Sequence, residues 1–78
     1  MAETLLPIES TFTVTNIAIS PMKKGILLVK DCLGYIMYHV VLRSPRSEIN
    51  LAHIRSGIYE IELIIGQSKY SQNIYKKS

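Results

Sequence analysis

A thiol and two imidazoles, Cys32, His39 and His53, are the first groups in this chain with chemistry to offer. Together they would form a Cys–His nucleophile pair, in which the imidazole draws the proton from sulfur and a third group orients the ring. The spacing argues against it. Cys32 stands beside Leu33 in a turn, and nothing local carries either histidine to it. A thiol with no charged neighbour behaves as a small hydrophobe. Two histidines without a second cysteine or a close carboxylate also make a poor zinc set. Glu60 and Glu62 imitate an acid–base pair, but period two on a strand puts both on one face. The pattern sets that face in water, where no burial tunes a carboxyl. Gly-rich phosphate loops and Gly-x-Ser-x-Gly elbows are missing. These residues predict a non-enzymatic chain with no cofactor and no metal.

Recognition is the better prospect. Residues 69–77 form a polar, basic, tyrosine-bearing ribbon, in which Lys69, Tyr70, Tyr75, Lys76 and Lys77 are the candidate partner-binding groups. At a sheet edge, unpaired backbone groups would accept another strand, although edge lysines equally guard against aggregation. Asp31 and Gly34 suit a hairpin loop, because Asp bonds backbone N–H groups two residues on and Gly accepts a positive φ. Gly57 and Tyr59 suit a corner, with the tyrosine ring buried and its hydroxyl near the rim.

The elements that must position these groups read as strands. Residues 11–16 alternate, with Phe12 and Val14 on one face and threonines on the other; Ile17 and Ile19 extend the pattern. Pro21 and Gly25 punctuate the chain, and the apolar run 26–30 reads as a strand covered on both faces. Residues 35–42 place Tyr35, Met37, His39 and Val41 opposite Ile36, Tyr38, Val40 and Leu42. A short strand, 48–51, turns Ile49 and Leu51 inward, and Ile54 drops from a corner toward the core. In 58–65, Tyr59, Ile61, Leu63 and Ile65 share the hidden face while Glu60 and Glu62 meet water. Residues 66–68 turn the chain into a final strand, 69–76. The expectation is an all-β fold, a small antiparallel sandwich of about six or seven strands. Residues 1–10 read as an arm or linker, and 11–78 as the domain.

Composition agrees. Seventy-eight residues with 47% hydrophobic and 19% charged make one small globular domain. The net charge of +3 falls mainly in turns and at the tail, not along one face with stacking aromatics, which speaks against nucleic acid. Cys32 has no disulfide partner in the chain. The first ten residues lack the basic and apolar regions of a secretory signal, and no window approaches a membrane span.

Residues 29–36, Val-Lys-Asp-Cys-Leu-Gly-Tyr-Ile, are similar to the V-x-D-x-x-G-x-x-V turn of the type A C-terminal sorting domains of the type IX secretion system. Residues 49–61 resemble that family's i-d-l-s-x-L-x-x-G-x-Y-x-v motif, and Gly66 through Lys77 resemble its closing lysine-bearing strand. The order and spacing hold from about Thr11 to Ser78. The chain departs from the family in having Leu6-Pro7-Ile8-Glu9 where a Tyr-Pro-Asn-Pro element is usual, and it begins at Met1 where family members follow a large cargo, as an excised tail or a free-standing relative would. The resemblance implies an immunoglobulin-like sandwich, recognised by an outer-membrane translocon and sortase-like machinery in Bacteroidetes-type bacteria. It also implies passage through the periplasm to the cell surface or medium as part of a longer protein. A native start at Met1 implies instead a cytoplasmic, free-standing interaction module that pairs as a homodimer.

Overall fold

The computed structural model describes residues 5–77. Seven strands follow one another: β1 (Leu6–Ile8), β2 (Thr11–Thr15), β3 (Gly25–Lys30), β4 (Ile36–Leu42), β5 (Arg46–Asn50), β6 (Gly57–Ile65) and β7 (Ser68–Lys76). They form a five-stranded sheet, ordered β1-β7-β6-β3-β4, facing a two-stranded sheet of β2 and β5. Every pairing is antiparallel except β1 with β7, which is parallel. The fold is the all-β sandwich expected, and Leu6–Ile8, within the stretch read as an arm, belongs to the larger sheet.

β6 organises the core. Tyr59, Ile61, Leu63 and Ile65 are all buried, as their alternation predicts. Beside them lie Leu27 and Val29 of β3 and Ile74 of β7, while Ile49, Leu51 and Ile54 close the core from the smaller sheet and the corner after it. Each such side chain contributes roughly 1.5–3 kcal/mol by leaving water.

Three local expectations change. β2 stops at Thr15, because the Asn16 side chain accepts from Ala18 N and the Asn16 carbonyl accepts from Ile19 N, folding the chain into a turn. Ile19 is then fully buried, whereas Ile17 is 92% exposed. β3 is not covered on both faces: Leu27 and Val29 enter the core, but Ile26 on the other face is 44% exposed. The alternation of 35–42 breaks at Met37. Lys30 stands opposite Ile36 and Val29 opposite Tyr38, so Met37 is the extra residue of a β-bulge, and Ile36 joins the outer row of Lys30.

Candidate recognition surface

One end of the sandwich is built from residues the sequence singled out. At the β3–β4 hairpin, Asp31 Oδ1 accepts from the backbone N–H groups of Leu33 and Tyr35, each at 2.9 Å. Its carbonyl accepts from Gly34 N at 3.0 Å, and Gly34 takes φ +89°, a conformation costly for any residue with a Cβ. At the corner entering β6, the Tyr59 hydroxyl donates to the Arg55 carbonyl at 2.8 Å. A tyrosine that reaches back over its own corner to the chain upstream is a recurrent device of immunoglobulin-like sandwiches. Gly57 makes the turn at φ +152°, where an added Cβ would lie 3.8 Å from the Tyr59 ring.

The hairpin and the corner meet. Asp31, Cys32 and Met37 from one side, with Arg55, Gly57 and Tyr59 from the other, line a shallow cleft of about 380 Å³. Arg55 and Met37 had no claim from the sequence; Met37 reaches the cleft only through its bulge. β7 ends beside them, with Ile58 opposite Tyr75 and Gly57 opposite Lys76.

The four β7 candidates and Lys77, just past the strand, do not share one patch. Lys69 lies on the outer face and pairs with Glu62 at 3.2 Å. Tyr70 borders an apolar cleft on the inner side, with Phe12, Leu63 and Ile74. Tyr75 is 44% exposed on the outer face, near Ile58. Lys76 corrects the picture of an accessible ribbon: it is only 4% exposed, because it shares the inward parity of Ile74, and its Nζ donates to the Lys77 carbonyl at 3.3 Å. Lys77 N in turn donates to the Ile8 carbonyl. Nor is the end of β7 a sheet edge, since β1 covers Ile74 through Lys76.

Glu62 is the second correction. It lies on the outer face as its parity requires, yet it is 6% exposed and not solvated. Lys30 Nζ approaches one carboxylate oxygen at 3.0 Å and Lys69 Nζ the other at 3.2 Å, and their stems cover it. The hydrogen bond from Lys30, aided by Lys69 and opposed by burial, holds its pKa below the ordinary 4.5. Glu60 is half-buried one row away.

Cys32 is exposed in its turn, and His53 rests its ring on Tyr38 at a centroid distance of 5.3 Å. Among the described residues no three His, Cys, Asp or Glu side chains gather as metal ligands would. No helix of the described residues is long and apolar enough to cross a membrane. Fold and corner together define a small all-β sandwich domain of two sheets. No protein-family model, curated protein or solved structure matches the chain.

Proposed function

We propose that this domain is a non-catalytic sorting module, a C-terminal signal read by the type IX outer-membrane translocon and its surface-attachment machinery. One observation supports the reading above others. The segments that carry the sequence resemblance are far apart in the chain, yet the Asp31 hairpin, the Gly57–Tyr59 corner and the end of β7 lie together at one end. A partner docking there would touch all three, with Arg55, Tyr75 and Lys77 as its exposed contacts.

The test fuses the full chain, residues 1–78, to a periplasmic reporter in a bacterium with a working type IX system, so that β1 stays paired with β7. The reporter reaches the cell surface, and the double variant Arg55→Glu/Lys77→Glu, folded by circular dichroism, leaves it in the periplasm. A reporter that stays periplasmic with the intact domain overturns the reading. The free-standing, homodimeric alternative draws on a different observation: β4, an edge of the larger sheet among the described residues, carries no formally charged residue from Ile36 to Leu42. Such an edge invites strand pairing. A monomer by sedimentation at high concentration would dispose of that alternative.

A further inference from the structure

The opposite end of the sandwich has a different chemistry. The β2–β3 loop (residues 16–24), the β4–β5 loop (43–45) and the β6–β7 turn (66–67) all emerge there. The register requires it, because Gly25 pairs with both Leu42 and Ile65, Ile65 with Ser68, and Thr15 with Arg46. The loops are tied to one another. Asn16 N donates to the Pro45 carbonyl at 2.8 Å, and a Cβ at Gly66 would touch the Lys23 stem at 3.6 Å. Within the long loop, Ser20 and Lys23 exchange backbone hydrogen bonds, and fully buried Ile19 anchors the whole.

This ordered frame holds two large apolar side chains out in water. Ile17 is 92% and Met22 96% exposed, the highest values among the exposed large hydrophobic residues. Around them stand Lys23, Lys24 and Arg43, with Arg46 and Lys69 at the strand starts, and none of the three connections contains an acidic residue. Among the described residues Lys23, Lys24 and Arg43 make no ion pair. From Met22, Lys23 and Lys24 a shallow groove of about 370 Å³ runs onto the outer face, floored by Ile26, Val41 and Ile64.

We infer that this end docks on an anionic phospholipid bilayer, with Ile17 and Met22 entering the interface and Lys23, Lys24 and Arg43 meeting lipid phosphates. Charge complementarity selects a negatively charged partner. The apolar groups then select among such partners. Aliphatic tips that project almost wholly into solvent fit a fluid acyl boundary, which opens around them. A folded acidic protein would instead need preformed pockets to receive them. Nucleic acid would call for stacking aromatics, and these loops carry none. The inference stands apart from the sorting role, which uses the other end of the molecule.

Vesicle co-sedimentation tests it, using phosphatidylcholine alone and with about a third phosphatidylglycerol. The domain should bind the anionic vesicles and be released as salt rises. At roughly fivefold per cation, Lys23→Glu/Lys24→Glu should weaken binding by about twentyfold or more. Met22→Trp provides a reporter in a chain that has no tryptophan. Its emission should shift to the blue on anionic vesicles and be quenched by brominated acyl chains. All of these positions are exposed, so an unchanged melting temperature verifies the fold. Equal binding to neutral and anionic vesicles, no brominated-lipid quenching, or equal affinity for duplex DNA would each overturn the inference.

Discussion

The two ends of the sandwich are both tied by local hydrogen bonds, yet they present different surfaces: a cleft between two turns at one, and projecting apolar tips among cations at the other. At the hairpin end, the turns are specified by local chemistry: a carboxylate bonding its own backbone, a glycine at positive φ, and a tyrosine hydroxyl latched to a carbonyl four residues back. At the loop end, the nine residues between β2 and β3 also bond locally, through Asn16 and the Ser20–Lys23 pair, but they are anchored to the core by one fully buried side chain, Ile19, beside Gly25. Local bonding leaves the hairpin side chains free to line a cleft. Anchoring through Ile19 lets its neighbours Ile17 and Met22 face outward without loosening the loop. Buried anchors and exposed side chains thus alternate among adjacent residues at both ends.

Substitutions can break this comparison. The largest effect belongs to Ile19→Ala, which empties a fully buried site and should cost about 2–5 kcal/mol in chemical denaturation. Hydrogen exchange should rise first in residues 16–24 while the hairpin end keeps its protection. Gly34→Ala should cost about 1–2 kcal/mol, through backbone conformation alone, because nothing lies within 4 Å of the new methyl group. A smaller loss, about 0.5–1.5 kcal/mol, is expected for Tyr59→Phe, which keeps the buried ring and removes only its bond to Arg55. Thermal melting should register this as a fall of several degrees.

Glu62 lies between the ends, and its contribution is a dependence on pH. Because folding lowers its pKa, its stabilisation is complete above the unfolded value near 4.5 and is lost as pH falls through the folded one. Glu62→Gln should therefore flatten the acid limb of a stability-versus-pH curve and bring variant and parent together at the lowest pH. The smallest effect on stability should come from Met22→Ser, within about 0.5 kcal/mol of zero, since its side chain is 96% exposed. A larger cost would mean that the tip is packed, and the contrast between the ends would fail.

Much of the fold was legible because strand periodicity is local. The alternation in 58–65 named the buried face of β6 correctly, and Asp31, Gly34, Gly57 and Tyr59 marked turns where the chain does turn. Two of the failures share a cause, the arrival of a neighbouring strand. Glu62 has the outward parity assigned to it, but Lys30 and Lys69 arrive from the two flanking strands to cover it. The Met37 bulge arises from fitting β4 to β3, and a pattern read along one strand has no means of registering a slip against another. Lys76 looked accessible as part of a charged tail, whereas its parity with Ile74 turns it inward.

Alone, the order of residues determined six of the seven strands, the hidden face of β6 and most of the turns between strands, since each follows from backbone geometry over a few neighbouring positions. Tertiary structure decided which turns share an end. It gathered Asp31 with Tyr59 on one side and set Lys23, Lys24 and Arg43 around Ile17 and Met22 on the other. Cations that look scattered along the chain become neighbours because strand register brings distant loops to the same edge of the sandwich, and register belongs to pairs of strands.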